Sequence, residues 1–305
     1  MIQVSILINC YNGEKYLQET LDSVYSQTYK NWEIIFIDNC STDRSKAIAK
    51  SYDHKIKYYK TEKNIPLGAA RKYGLSLCQS KYIAFLDTDD LWREDKLEQQ
   101  VSMLEGNINY AYCYSDYEII DPNNKHISFY KTKHPNGFIF KKLLVWYEIG
   151  MLTVLMRREV LNTLEEGFDS SLTFCPDYDL FMRLAIANKV CSIKKCLAKY
   201  RNVPNSLSVR TKENHYKEIY SIYVKIHKII PNIATLYPNE YVHWQAWISK
   251  TEADNIILFQ NNLEKARQCL KKASILSERQ KKRYEISLKE NGLNLLKQEL
   301  RNIEN

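Results

Sequence analysis

The fold class of this chain of 305 residues follows from residues 4–38, VSILINCYNGEKYLQETLDSVYSQTYKNWEIIFID. Two apolar runs of β character, VSILIN at 4–9 and WEIIFID at 32–38, lie on either side of a polar segment at 13–28. Within that segment, apolar side chains recur at the spacing of one helix face, at Leu17, Leu21, Val24 and Tyr25. The pattern predicts a strand, a helix and a second strand, which is a βαβ unit with parallel strands.

The same alternation continues towards residue 104. Further strand-like and helix-like segments follow at 55–61, 67–79, 81–87 and 93–104. We predict an α/β fold with a mostly parallel sheet flanked by helices, which binds its ligand beyond the carboxyl ends of the strands. Polar side chains gather at those ends, at Asn9, Asn12, Asp38, Asn39, Asp87, Asp89 and Asp90.

The rest of the chain divides into a mixed part and a helical part. Strands are predicted at 110–120, 152–158 and 190–201, with a helix at 177–188. From residue 211 onwards the pattern is helical. We therefore predict two regions, an α/β domain at 1–210 and an α-helical C-terminal extension at 211–305.

Charge and cysteine usage narrow the classes of function. Residues 201–305 contain 18 Lys and Arg against 11 Asp and Glu, so they carry +7 of the net charge of +8. The nearly neutral front part argues against a nucleic-acid partner, whereas the basic tail is typical of contact with anionic lipid or of a solvated helical surface.

The eight cysteines form no C-x-x-C pair, which favours a reducing compartment. No leader segment or apolar run of ~20 residues is visible, so we expect a cytoplasmic protein, either free or on the inner face of the membrane.

LDTDD at 86–90 is the strongest chemical motif, because it follows an apolar strand. On an extended chain, Asp87 and Asp89 would point to one side and Thr88 to the other. Two carboxylates held together repel each other, and a hard cation such as Mg²⁺ or Mn²⁺ relieves that repulsion. Scattered capping aspartates are the alternative explanation of the motif.

Two other positions bear residues suited to a nucleotide site. Asp38 ends the second strand and can accept hydrogen bonds from a nucleoside, provided that Ser41 caps the next helix instead. Arg71 can hold a phosphate bidentately, or it is an exposed helix residue. The Walker pattern and G-x-G-x-x-G are both absent, which argues against P-loop enzymes and dehydrogenases.

The segment CPDYDLFMR places two acids at the start of a predicted helix. Asp177 is the better candidate for a general base, because Asp179 would turn into the helix. The alternative is that both acids only complement the helix dipole.

These segments together resemble the family 2 glycosyltransferases. The resemblance extends over roughly residues 3–210. It is carried by residues 4–43, GAAR at 68–71, YIAFLDTDDLW at 82–92, TVLMRREVL at 153–161, FDSSLTFCPDYDLFMRLA at 168–185 and YRNVPNSLS at 200–208.

The resemblance implies a GT-A fold, a UDP-sugar donor, a divalent cation (Mg²⁺ or Mn²⁺) and inversion at the anomeric carbon. A hexose or N-acetylhexosamine would pass to a hydroxyl of a glycan or lipid-linked glycan, in the assembly of surface polysaccharide, lipopolysaccharide or glycoprotein glycan. The basic C-terminal helices would meet the acceptor, the membrane surface or a second copy of the chain. The implied roles are nucleoside binding by Tyr11, Asn12, Glu14 and Asp38, donor contact by Arg71 and Asp87, metal ligation by Asp89 and base catalysis by Asp177.

Three positions depart from the family pattern. Asp38-Asn39-Cys40 stands where Asp-Asp-Gly is common, Pro176 replaces the acid before the base, and Val203 replaces a histidine after Tyr-Arg. Two other functions remain as alternatives, a nucleotidyltransferase of related fold and a non-catalytic protein that binds a nucleotide sugar.

Overall fold

The computed structural model describes residues 2–204, 206–207, 212–260, 262–276, 281–288 and 296–298. The chain forms two compact units. The first, here the α/β unit, comprises Met1–Phe140 and Glu148–Val203, and the second, the helical unit, comprises Lys141–Tyr147 and Pro204–Asn305. The predicted boundary between residues 210 and 211 lies in segment 208–211, outside the described residues.

Nine strands form one sheet in the α/β unit. They are β1 Val4–Cys10, β2 Trp32–Asp38, β3 Ile56–Lys60, β4 Tyr82–Asp87, β5 Leu91–Trp92, β6 Tyr110–Ile120, β7 His126–Tyr130, β8 Leu155–Arg157 and β9 Lys189–Arg201. Their order is β3-β2-β1-β4-β8-β6-β9-β5, and β7 pairs with β6. The strands β3, β2, β1 and β4 are mutually parallel, while β8 is antiparallel to both β4 and β6. Because β9 runs parallel to β6, six strands have their carboxyl ends at one edge of the sheet.

Six α-helices occur before residue 188 in the described part of the chain, and the one at 140–145 lies almost wholly in the segment of the helical unit. They are α1 Leu17–Tyr25, α2 Ser45–Lys50, α3 Leu67–Leu77, α4 Lys96–Glu105, α5 Phe140–Val145 and α6 Pro176–Ala187. The face of α1 that the sequence indicates is buried at Leu17, Leu21 and Val24, which pack in one core with the apolar residues of β1 and β2. Burying this apolar stripe stabilises the predicted βαβ unit by about 25 cal/mol per Å² of apolar surface. The predicted α/β class is therefore confirmed.

Several element ends differ from the prediction. Helix α1 begins at Leu17 rather than at residue 13, because the amides of Tyr16 and Leu17 both bond to the carbonyl of Gly13 in a turn. Ser41 does not cap α2, since its hydroxyl accepts the Asn12 amide at 3.0 Å instead. The predicted strand at 152–158 shrinks to β8, with 3₁₀ turns on both sides.

The helical unit contains α7 His215–Ile229, α8 Ile233–Leu236, α9 Pro238–Asn255, α10 Leu263–Leu276 and α11 Lys281–Ser287. A π-helical turn, Ile256–Gln260, follows α9. A small core of Ala253, Ile256, Ile257, Ala266, Leu270 and Leu296 joins these helices. Among the helices in the described part of the chain, none is both long enough and apolar enough to cross a membrane.

Candidate active site

The carboxyl edge of the sheet collects the polar residues that the sequence singled out. Asp38 ends β2, Asp87 ends β4 and Arg201 ends β9, and these strands share one direction. Two groups of side chains occupy this edge. The acid cluster consists of Asp87, Asp89, Asp90 and Asp177, and the loop network consists of residues 11–14 and 38–45.

The turn after β4 builds most of the acid cluster. The segment after Asp87 is not extended as predicted, because the strand ends at Asp87 and the Asp90 amide bonds back to the Asp87 carbonyl at 3.2 Å. The carboxylates of the turn are nevertheless close enough to affect one another's pKa values. Burial, and then the charge of Asp87, raises the pKa of Asp89 to about 6, and burial with both neighbouring acids raises the pKa of Asp90 well above its usual range.

Arg71 joins this turn to the predicted base. Its guanidinium is 4% exposed and contacts both carboxylate oxygens of Asp87, at 2.9 and 3.2 Å. Burial raises the pKa of Asp177, the charge of Arg71 lowers it and the charge of Asp87 raises it again. Arg71 is therefore not an exposed helix residue. It pairs with Asp87, and its charge also acts on Asp177, which is 90 residues further along the chain.

The start of α6 separates the two acids that the sequence left as candidates. Asp179 is fully buried and its carboxylate accepts Arg183 Nε at 3.0 Å. Arg183 also donates to the carbonyls of Glu166 and Gly167, which attaches α6 to the preceding loop. Asp179 thus has a structural partner, while Asp177 lies half-buried at the first turn among the acids of the site.

Gly68 permits the contact between α3, which carries Arg71, and the segment that leads to Asp177. Its amide donates to the Leu172 carbonyl at 2.8 Å. A Cβ atom on Gly68 would overlap the carbonyl oxygen of Asp169 and lie 2.8 Å from that of Leu172. Only glycine fits between these two main chains.

Arg201 is a site residue that we did not predict. Its side chain is fully buried and donates to the Asp89 carbonyl at 2.8 Å and to Glu19 at 3.0 Å, while its amide donates to Asp90 at 2.9 Å. It therefore holds the turn at Asp89 and Asp90, whereas Arg71 holds it at Asp87. The only signal in the sequence was its place at the end of a strand-like run within the Tyr-Arg pair of the family pattern.

The loop network is held by hydrogen bonds between its own side chains and amides. Asn12 Oδ1 accepts the Thr42 amide at 2.9 Å, and the Glu14 carboxylate accepts the Arg44 amide at 3.0 Å. Asp38 is fully buried and is not free as the sequence suggested, because its carboxylate accepts the Ser41 amide at 2.7 Å and the Tyr58 hydroxyl.

Two features of the loop network face outwards or carry strain. Tyr11 is 44% exposed, so its ring is available to a ligand. Asn12 and Cys40 have positive φ angles of 54° and 65°. Cys40 stands where the family pattern has glycine. A positive φ angle at this position explains why glycine is common there, because glycine adopts such angles without strain.

The structure brings Arg71, Asp87, Asp89 and Asp177 together, while Tyr11, Asn12, Glu14 and Asp38 belong to the neighbouring loop network. Gly13 connects the two groups, because a Cβ atom there would lie 2.8 Å from Thr88 Oγ1.

The acid cluster fits a divalent cation. Within the described residues, no group of three or more His, Cys, Asp and Glu side chains is arranged to hold a metal ion. Mg²⁺ is usually bound through one or two carboxylates together with phosphate oxygens of the substrate, so a third protein ligand is not required. Burial, and then repulsion by Asp87, raises the pKa of Asp89, and a cation would offset both by stabilising the ionised carboxylate.

Comparisons with known sequences identify the family of this chain. The family model "Glycosyl transferase family 2" matches residues 5–164. WfgD of Escherichia coli, a UDP-Glc:alpha-D-GlcNAc-diphosphoundecaprenol beta-1,3-glucosyltransferase, is 34% identical over 220 residues, which cover 71% of this chain and 82% of that protein. TuaG of Bacillus subtilis, a putative teichuronic acid biosynthesis glycosyltransferase, is 31% identical over 74% of this chain and 89% of its own length.

Solved structures share the fold at low identity. Residues 1–349 of TarS from S. aureus superpose with a TM-score of 0.67 at 18% identity, covering 91% of this chain and 82% of that one. The mannosyltransferase PcManGT from Pyrobaculum calidifontis, solved with GDP-Man and Mn²⁺, has a TM-score of 0.61 at 14% identity over 97% of this chain and 86% of its own. The fold is thus that of the GT-A glycosyltransferases, and the chain belongs to glycosyl transferase family 2.

Proposed function

We propose that this glycosyltransferase is metal-dependent and moves a hexose or N-acetylhexosamine from a UDP-sugar to a hydroxyl group of a glycan or lipid-linked glycan, with inversion. The observation that carries the proposal is the position of Asp177, whose carboxyl responds to the charges of both Arg71 and Asp87. A base for the acceptor and the groups for the donor diphosphate are therefore within one electrostatic neighbourhood.

In this reaction Asp177 takes the proton of the attacking acceptor hydroxyl. Its raised pKa makes it a stronger base than an exposed aspartate, and the positive charge of Arg71 limits the rise that burial causes. Attack on an oxocarbenium-like carbon from the face opposite the leaving group gives inversion. Arg71 supplies fixed positive charge near the departing diphosphate.

The cation and the nucleoside complete the donor site. Asp89, with Asp87 beside it, would hold Mg²⁺ or Mn²⁺, and such an ion supplies charge that stabilises the leaving diphosphate. The loop network would hold the nucleoside, with the exposed Tyr11 ring as a stacking surface and Asn12, Glu14 and Asp38 shaping the pocket.

The relatives suggest the substrate class. WfgD is named for transfer from UDP-Glc to GlcNAc-diphosphoundecaprenol, and TuaG for teichuronic acid biosynthesis. At 34% identity to WfgD, UDP-glucose and a GlcNAc diphospholipid are the first substrates to test, in the assembly of cell-surface polysaccharide.

The test is release of UDP from a panel of UDP-glucose, UDP-galactose and UDP-GlcNAc with Mn²⁺, with and without GlcNAc diphosphate linked to an alkyl chain. We expect one donor to give fast release that depends on the acceptor, and a disaccharide product detectable by mass spectrometry. Tight binding of a UDP-sugar without acceptor-dependent release would favour the non-catalytic alternative.

A lipid-linked acceptor would require the enzyme to work at the inner face of the cell membrane, and the helical unit offers a surface for it. On α7, Lys217, Tyr220, Val224 and Lys228 recur at helical spacing on the exposed side. Cationic and aromatic side chains on one helix face suit anionic lipid headgroups. Flotation with liposomes that contain phosphatidylglycerol should carry the protein upwards, and sedimentation of all the protein at low salt would contradict this.

A homodimer through the same unit remains a prediction that sedimentation velocity tests.

A further inference from the structure

Three tyrosines form a group at the carboxyl edge of the sheet that the proposed reaction does not use. Tyr117 of β6 and Tyr130 of β7 are register partners whose rings stack at 4.8 Å and 12°. Tyr200 of β9 meets the Tyr117 ring edge-on at 6.3 Å. Tyr200 is 36% exposed and the other two are half-buried, so we call the three residues the tyrosine platform.

The tyrosine platform adjoins the acid cluster. Its strands β6 and β9 run in the direction of β4, so Tyr117 and Tyr200 lie at the same edge as Asp87. The charge of Asp90 contributes, after burial and the two other tyrosines, to raising the pKa of Tyr117. Arg201, the residue after Tyr200, bonds the main chain of Asp89 and the carboxylate of Asp90.

The order of the strands puts the loop network and the tyrosine platform on opposite sides of β4. The loop network follows β1 and β2, on one side of β4, and the platform follows β6 and β9, on the other side. With the donor nucleoside in the loop network, its diphosphate would reach the acids at β4, and the acceptor would approach from β6 and β9.

We propose that the tyrosine platform is an acceptor subsite that stacks a hexopyranose ring with mostly equatorial hydroxyls, such as GlcNAc. This rests on the proposed function, because it names the surface for the acceptor of that reaction. The axial C–H bonds of such a sugar form an apolar face that covers an aromatic ring, while its hydroxyl rim stays at the polar edge. Tyrosine offers both characters, an apolar ring face and a polar hydroxyl, at low entropic cost.

Kinetics with UDP-glucose and the alkyl-linked GlcNAc diphosphate test the subsite. We expect Tyr200→Ala and Tyr130→Ala to raise the acceptor KM about three- to tenfold, the loss of one aromatic contact. Tyr200→Phe keeps the ring and should stay close to the wild type. Donor KM should change much less than acceptor KM, because the loop network is not altered. Phe138→Ala, at a ring that is 59% exposed outside the platform, is the matched control. Circular dichroism and thermal melting verify that each variant is folded.

The outcomes separate the two proposals. Transfer by the wild type with an unchanged acceptor KM in both alanine variants overturns the platform alone. If the wild type releases UDP in water but does not glycosylate the probe, the proposed acceptor is wrong. Calorimetric binding of the same probe to the wild type and Tyr200→Ala then decides the platform, and equal affinities overturn it.

Discussion

The loop network and the acid cluster lie at the same edge of one sheet, but the surroundings of their carboxylates are opposite. In the loop network, Asp38, Asp43 and Glu14 each accept main-chain amides. In the acid cluster, Asp89 and Asp90 are crowded by like charge, and their pKa values are raised. The first arrangement is a frame that is fully bonded before any ligand arrives. The second retains unfavourable electrostatic energy that a cation or a proton removes, and reactive groups are found in such places.

Asp177→Asn should have the largest effect on turnover. The amide cannot accept a proton but keeps the shape of the side chain, so we expect kcat to fall about 10³-fold. The affinity for UDP should remain, because the loop network is not altered. Initial rates of UDP release and calorimetry with UDP measure the two quantities.

Asp179→Asn is the control two residues away. It breaks the buried pair with Arg183, so it should lower the free energy of unfolding by about 3–5 kcal/mol without removing the base. Wild-type turnover in Asp177→Asn would exclude this residue as the base.

Asp89→Asn should lose activity about 100-fold and yet stabilise the metal-free protein. The pKa of Asp89 is about 6 in the folded protein, above the ~3.9 of an unfolded chain. Its ionisation therefore costs stability, in full above a pH of about 6, and the cost is lost progressively as the pH falls from about 6 to ~3.9. At pH 7.5 in EDTA, differential scanning calorimetry should show a higher Tm for the variant, while Mn²⁺ should raise the Tm of the wild type only.

Asp95→Asn offers the opposite sign as a control for this measurement. The Arg93 guanidinium lowers the pKa of Asp95, so removing that carboxylate should reduce stability at pH 7.5. Full activity of the wild type in EDTA would contradict the role of the cation.

The pH profile should show how Arg71 adjusts the base. Because the pKa of Asp177 is raised, kcat/KM should fall on the acid side at a higher pH than for an exposed aspartate, by tenfold for each pH unit below that pKa. The charge of Arg71 lowers this pKa, so Arg71→Met should move the acid limb to still higher pH. Profiles between pH 5 and 8 measure the shift, and a limb that stays in place in Arg71→Met would refute the coupling.

Cys40→Gly should have the smallest effect and lies in the loop network. The φ angle of 65° is strained for cysteine but not for glycine. We expect unfolding in urea to become about 0.5–1 kcal/mol less favourable, with unchanged turnover. Cys40→Ala keeps the strain and should not show the gain. A fall in stability for the glycine variant would mean that the Cys40 thiol contact with the Glu62 carbonyl outweighs the strain.

The sequence predicts what depends on local pattern. The alternation of apolar runs gave strands at 32–38 and 110–120, which the structure contains as Trp32–Asp38 and Tyr110–Ile120. Their period is set by residues on the same strand, so no distant contact is needed to recognise them. The acidic motif after β4 was equally visible, because it directly follows a buried run.

What the sequence does not predict depends on partners far along the chain. Arg201 bonds residues 111 and 112 positions earlier, and Arg71 is buried only because Asp87 and the segment before α6 close over it. The partners of Asp38 are also set by tertiary structure, since Tyr58 comes from a neighbouring strand. Short-range preferences place Ser41 at a cap, and the Asn12 amide overrides that preference.

The glycine at the crossing of α3 and the 169–172 segment has a further consequence. At Gly68 two main chains touch with no side chain between them, one bearing the donor-side arginine and the other continuing to the base. The side chains of alanine and serine at this position would force the two main chains apart by different amounts. Asp177 would then lie farther from the donor side of the site, although none of the reacting residues is replaced. Because the charge of Arg71 lowers the pKa of Asp177, a wider separation at this crossing would also raise the pKa of the base.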